Sequence, residues 1–275
     1  MLCENKITAL FCLIDDLLKS IGHQEDCRVK VSDSEVITTA LIAGLYFSGH
    51  YDNARAFVRM TGLMPAMLDK SRFCRRLHRR SELLQALFFQ LAQHIKDITG
   101  AAAYVLDSFP VAVCDNIRIR RSRLLKGEQW RGKQCSMRRY FYGIKVQVVT
   151  LNGIPVEFCL VAGSEADVKA LGRLPLQLGP GSRLYCDAAY TNYKAEDLLA
   201  EQEGIALKAG RKSNAKRKEW PWEVYLKEQH RKGIETTFSQ IKARMPRSVH
   251  ATSTDGFLLK TALFIMAFAF EQLLP

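Results

Sequence analysis

Apolar positions recur every three to four residues through the first hundred positions of the chain, a period that predicts helices. Spans are expected at Ile7–Ile21, Asp33–Gly49 with Ser32 or Asp33 as N-cap, Asp52–Met60, Ser71–Arg80 and Ser81–Thr99, with no strand among them. At Ala101 the pattern changes. AAAYVL is a short apolar run ending in Asp107, and Pro110 just beyond it is expected to stop a central ladder. GIKVQVVT at Gly143–Thr150 alternates, as does Ile154–Ala162, and the Asn152-Gly153 pair between them is a strong hairpin signal. A helix is then expected from an N-cap at Ser164, with Asp167 at its third position, to Gly172. Ser182–Cys186 reads as a strand ending in Asp187, Tyr193–Gln202 as a helix and Ile205–Lys208 as a strand. Two helices follow, one through His230–Arg244 and one over Thr254–Leu274.

The switch of period divides the chain into an all-helical region, residues 1–99, and an α/β region, residues 100–275. Forty Lys and Arg against twenty-eight Asp and Glu leave a formal charge of +12, which favours a polyanionic partner. The eight cysteines are scattered without a C-x-x-C pair, so buried reduced thiols in a reducing compartment are expected rather than disulfides or a zinc site. Charges at Glu4, Lys6, Asp15 and Asp16 make the beginning an amphipathic helix and not a signal peptide. Phe257–Phe270 is strongly apolar but short and carries Lys260, so a buried helix is expected and no membrane partner.

The positive charge is clustered. Arg72, Arg75, Arg76 and Arg79 fall on one short helix preceded by a Gly/Pro turn, which could be the recognition helix of a helix-turn-helix or a solvated basic face. From Arg118 to Lys145 ten basic residues, among them Arg118, Arg120, Arg121, Arg123, Arg138 and Arg139, meet a single acid, Glu128. Trp130, Tyr140, Phe141 and Tyr142 are interleaved. Cations track a phosphate backbone and aromatic faces stack on unpaired bases, so this segment is expected to touch nucleic acid; the aromatic trio could equally be strand core. A second cluster, Lys208 to Lys218, reads as a solvated loop.

In HRKGIETTFSQIKAR, read at 100° per residue, Arg231, Glu235 and Lys242 share one stripe. Ile234, Phe238, Ile241 and Met245 form an adjacent core-facing stripe, which puts Glu235 at the rim of a buried face. Asp107 and Asp187 each end a buried strand. If those strands are adjacent and parallel, both aspartates emerge at one sheet end, where a packed helix can bring Glu235. Three clustered carboxylates repel one another and need cations, and hard oxygen donors suit Mg²⁺ or Mn²⁺.

The series YVLDSFPV, YFYGIKVQVV, LYCDAAY and RKGIETTFSQIK resembles the bacterial insertion-sequence transposases of the DDE class. Arg231, Glu235 and Lys242 match that family's Tyr-x2-Arg-x3-Glu-x6-Lys signature, and Glu228 stands where the family has tyrosine. The resemblance implies an RNase H-like mixed five-stranded sheet flanked by helices, with three antiparallel strands followed by two parallel to the first, and a helical N-terminal region, residues 1–99, that binds DNA. It implies that Asp107, Asp187 and Glu235 hold two Mg²⁺ ions, with Mn²⁺ as a substitute, and that Arg231 and Lys242 contact phosphates near the cut. The implied reaction is cleavage at the element's terminal inverted repeats, followed by strand transfer into target DNA. Synapsis of two DNA ends implies a homo-oligomer, and the implied setting is the cytoplasm and nucleoid of a bacterium. Two other readings are weighed against this one: an RNase H-like nuclease without strand transfer, and a DNA-binding regulator whose acids are structural.

Overall fold

The computed structural model describes residues 4–100, 103–134, 138–212 and 215–274. Cys3, Cys135 and the Ala101-Ala102 start of the expected first strand lie outside them. The chain divides into two compact units, one comprising residues 1–93 with 241–275 and the other residues 94–240.

The first unit is helical: α1 (Glu4–Ser20), α2 (Asp33–Tyr46), α3 (Tyr51–Met60), α4 (Lys70–Arg79), most of α5 (Ser81–Thr99), the end of α8 (Pro221–Arg244) and α9 (Thr254–Glu271). Ser32 caps α2 through a reciprocal box: its side chain accepts from the Glu35 N–H, and the Glu35 carboxylate accepts from the Ser32 N–H at 2.6 Å. α2 and α9 are buried nearly all round, and the bare Cα of Gly44 lets them meet; a Cβ there would stand 3.4 Å from that of Ala267. Phe257, Phe264, Phe268 and Phe270 of α9 are fully buried, worth about 2–3 kcal/mol apiece in area removed from water. No helix among the described residues is long and apolar enough to cross a membrane.

Buried Asp33 ties α4 to α2. Its carboxylate takes Arg76 Nε at 2.7 Å and His23 Nε2 at 3.0 Å, with Arg80 Nε 2.8 Å away, while Arg76 also reaches Glu25 at 2.5 Å. The Asp69 side chain caps α4 by accepting from the Arg72 N–H.

The second unit carries one mixed six-stranded sheet. Its strands are β1 (Ala103–Cys114), β2 (Arg131–Gln134), β3 (Arg139–Leu151), β4 (Ile154–Ala162), β5 (Arg183–Cys186) and β6 (Ala206–Ala209). Five run in the order β4-β3-β1-β5-β6, with β4, β3 and β1 antiparallel and β5 and β6 parallel to β1. β2 is the sixth, paired with the first residues of β3 beyond the end of β4. The unit also holds the short α6 (Asp167–Ala170), α7 (Tyr193–Leu198) and α8 through Gln240. Gly143 is required where β3 crosses β1, because a Cβ there would lie 2.1 Å from the Val111 carbonyl oxygen.

Several local expectations change. β1 does not stop at Asp107 but continues through Pro110 to Cys114. Its ladder with β5 ends at Leu106, and beyond that point β3 is its only partner among the described residues; such an edge tolerates a residue without an N–H. The helix expected from an N-cap at Ser164 to Gly172 starts later, with Ala166 at the N-cap, and is a single α turn, α6, that tightens into a 3₁₀ turn at Leu171–Arg173; the Asp167 side chain bonds Ser108 and Gln147. α7 widens into a π-turn at Leu199–Glu203, closed by Gly204 at φ +65°. Phe141 and Tyr142 are buried on opposite faces of β3 and only Tyr140 of the trio is exposed; Tyr142 shares the face of Tyr140 but is covered by the loop whose Leu125 and Gly127 carbonyls accept from its hydroxyl. Cys186 is buried as expected, whereas Cys12 and Cys27 are exposed; all described cysteines are free thiols.

Candidate active site

The apolar stripe of α8 decides where its polar stripe points. Ile234 and Phe238 are buried, and the Phe238 ring meets Phe109 of β1 at 4.8 Å between centroids. Thr237 Oγ1 donates to the Gly153 carbonyl in the β3–β4 turn at 2.9 Å. One end of the helix is held by His230 stacked on Tyr185 of β5 at 4.3 Å, and by Lys227 Nζ donating to the Ala209 carbonyl of β6 at 2.7 Å. α8 is therefore fastened to β1, β5, β6 and the hairpin.

The parallel register pairs Leu106 with Cys186, so Asp107 and Asp187 are the next residues on two neighbouring strands. Each carboxylate accepts from the following backbone N–H, Asp107 from Ser108 at 2.7 Å and Asp187 from Ala188 at 2.6 Å. Both line a cavity of about 260 Å³, together with Glu228 and Arg231 of α8. Arg231 joins the elements: Nη1 lies 3.5 Å from Asp187 Oδ1, and Nε donates to Glu235 Oε1 at 3.2 Å. Glu235 stands on the outer side of that guanidinium with its side chain 59 % exposed, more open than a rim position suggests.

Burial pushes the Asp107 carboxyl up to about 6, with the neighbouring negative charges of Asp187 and Asp167 adding to it. The Ser108 N–H and Arg231 act against that rise without cancelling it. Among the described residues no cationic side chain forms an ion pair with Asp107. An anionic, half-buried oxygen donor beside a second carboxylate fits a divalent ion of the Mg²⁺ or Mn²⁺ type.

Beneath the aspartates lies a polar network that sequence reasoning missed. Ser108 Oγ donates to Asp167 Oδ1 at 3.2 Å, Gln147 Nε2 donates to the same oxygen at 2.8 Å, and the Tyr190 hydroxyl donates to Gln147 Oε1. Lys145 Nζ completes it, 3.3 Å from Asp167 and donating to the Glu165 carbonyl at 2.6 Å. The network connects the residue after Asp107 with the turn after Asp187. Its one visible signal was Gln147, a fully buried amide in the apolar run VQVV.

The basic residues sort by exposure. Arg118, Arg120, Arg121, Arg123, Arg138 and Arg139 are all exposed; the first three lie on a 3₁₀ turn, Asn116–Arg121. Arg72 and Arg75 face solvent on α4, where with Arg76, Arg79 and Arg80 they line a concavity of about 570 Å³. Arg76 is turned inward to Asp33 and Glu25. Lys242 lies in the last turn of α8, outside the sheet unit. Arg211 and Arg217 of the second cluster are paired with Glu196, Arg211 through two 2.6 Å bonds. Among the described residues the one group of three acid, histidine or cysteine side chains whose ligand atoms already lie within 4.8 Å of one another is His23, Glu25 and Asp33, where Arg76 compensates the two acids; Asp107 and Asp187 do not form such a group with Glu228 or Glu235 of α8.

No curated protein and no solved structure matches the chain. Residues 97–252 match a family described as transposase DDE domain, and that match spans β1, β5 and α8 with Asp107, Asp187 and Glu235 on them. With more than half its length so matched and a mixed sheet of the RNase H-like order, the chain belongs to the DDE-class transposases.

Proposed function

We propose that this transposase cuts DNA at the ends of an insertion sequence and joins the freed 3′ ends to target DNA, using Asp107, Asp187 and Glu235 as its catalytic carboxylates. The observation that carries the reading is the alignment of Asp107 and Asp187 after the Leu106–Cys186 pair, with Arg231 spanning Asp187 and Glu235. Two Mg²⁺ ions, or Mn²⁺ in their place, would supply the positive charge that stabilises the attacking and leaving oxygens of an in-line phosphoryl displacement. The protein's part is positional. Asp107 and Asp187 present oxygens held by backbone N–H groups, and the Asp167–Gln147–Tyr190 network keeps the two strand ends in register. Arg231, released from the carboxylates when cations enter, is placed to receive a phosphate oxygen. Lys242 extends the same helix stripe toward the DNA.

The exposed arginines of residues 118–139, with Arg72 and Arg75 of the helical region 1–99, are assigned to the phosphate backbone; Arg76 in that reading orients α4 instead of touching DNA. Two DNA ends held together call for a homo-oligomer on DNA. Changing Arg118 with Arg120, or Arg121 with Arg123, to Ala should flatten the log–log salt dependence of DNA affinity by about one unit for each phosphate no longer neutralised. An unchanged slope would remove this segment from the interface.

Asp187→Asn and Glu235→Gln should each lower Mg²⁺-dependent cleavage of an element-end duplex by at least about a thousandfold while leaving DNA affinity within about twofold. Cleavage by either variant at the wild-type rate would exclude that residue from the catalytic set, and wild-type protein that binds but cuts nothing with either metal would favour a regulator.

A further inference from the structure

Glu228 is the residue by which this chain departs from the family signature, and its surroundings give the departure a role. It precedes Arg231 by three residues and Glu235 by seven, so all three share one face of α8. That face addresses the aspartates, as the contact between Arg231 and Asp187 shows. Arg231 divides the two glutamates, with Glu228 about 4.5 Å before it along the axis and Glu235 about 6 Å after it. On the near side, Glu228 lines the same 260 Å³ cavity as Asp107 and Asp187. Glu235, on the far side, is tied to Arg231.

Glu228 makes no ion pair among the described residues, and its neighbour Lys227 is engaged with Glu219 and the Ala209 carbonyl. The cavity is lined by four carboxylates, those of Asp107, Asp187, Glu219 and Glu228, and by Arg211, Lys227 and Arg231; Lys227 pairs with Glu219 and Arg211 with Glu196, which leaves Arg231 as the cation facing Asp107, Asp187 and Glu228. A tyrosine at this position would bring no charge; the glutamate brings a second hard oxygen donor from α8.

We propose that Glu228 is a fourth carboxylate of the metal site, directing an oxygen to a divalent cation held by Asp107 and Asp187. The inference rests on the reading of Asp107 and Asp187 as metal ligands. It has a consequence for charge. Four carboxylates and one scissile phosphodiester carry five negative charges, which two divalent ions and Arg231 balance. With tyrosine in place of Glu228 the loaded site would keep one positive charge in excess. The substitution therefore exchanges attraction for DNA at the cut for tighter hold on the metal.

The test is Mn²⁺ binding to the full chain, without DNA, followed by electron paramagnetic resonance of the free ion. Wild type, Asp107→Asn, Asp187→Asn, Glu228→Gln and Glu228→Tyr are compared, each first checked for an unchanged thermal melt. Glu228 is exposed, so both of its variants should fold. The expected result is that both Glu228 variants bind Mn²⁺ at least about tenfold more weakly than wild type, and that the difference persists at about 0.5 M salt, where distant charges are screened. Wild-type affinity in the Glu228 variants, alongside weakened binding in the two aspartate variants, would overturn the role of Glu228 and leave the aspartate site standing. A Glu228 effect that vanishes in salt would also overturn it, reducing the residue to a distant charge. Undiminished Mn²⁺ binding by both aspartate variants, or none by wild type, would overturn the metal site itself.

Discussion

Asp107→Asn should make the metal-free protein more stable at pH 8, by up to about 3 kcal/mol, while abolishing cleavage. The sign follows from burial. The folded carboxyl is raised from 3.8 to about 6, so the native state holds the proton more tightly than the unfolded chain. The stabilisation from that proton is complete below about pH 4 and is lost as the pH rises through 6. A tenfold difference in proton affinity corresponds to about 1.4 kcal/mol, which gives the upper figure. Asparagine carries no such charge and can still accept from the Ser108 N–H. Urea denaturation in chelator at pH 4 and pH 8 reads the effect: a gain at pH 8 that disappears at pH 4 is expected. Equal gains at both pH values would mean that Asp107 is not held protonated by burial. The same property couples metal to pH, since a cation must displace the proton below pH 6 and compete with none above it.

The largest stability effect is expected away from the site, at Lys96 and Glu157. Both are buried, Nζ to Oε1 at 2.8 Å, with Lys96 also donating to the Gln177 carbonyl and Glu157 accepting from the Leu176 N–H. Truncating either to Ala strands the other charge in the interior and should cost about 3–5 kcal/mol. Changing both together, Lys96→Met with Glu157→Leu, should cost clearly less than the two truncations summed, because no charge remains to be stranded. What is left is the unpaired Leu176 N–H and Gln177 carbonyl, about 1–3 kcal/mol each. Denaturant midpoints of the single and double variants give the coupling energy; simple additivity would show that the pair is solvated.

Neither of those residues stood out in the sequence, and the reason is general to what was missed. The stripes of α8 were legible because periodicity is a local property: Ile234 and Phe238 pack as their spacing requires and put Arg231 and Glu235 on the adjacent face. Asp187 closes a short apolar strand and was equally plain. The pairing of the strands came from the family resemblance, since nothing in the runs YVL and LYC states that they are neighbours. Arg76 and Asp33 meet across forty-three positions, and no spacing rule distinguishes this inward arginine from Arg72 and Arg75 beside it. β2 is four residues, RGKQ, with no apolar alternation, and exists because β3 overruns β4 and offers it an edge. The passage of β1 through Pro110 depends on which side of the strand lacks a neighbour, a property of the sheet and not of the segment.

The most direct test of the central claim is diffraction from crystals of the protein with a DNA duplex, soaked in Mn²⁺ and measured at the manganese edge. The prediction is an anomalous peak bridging Asp107 and Asp187 at about 2.2 Å from their oxygens, with Glu235 turned from Arg231 toward the metal site. Carboxylates still paired with Arg231, and no peak between them at saturating Mn²⁺, would contradict the assignment of these residues as the catalytic metal site.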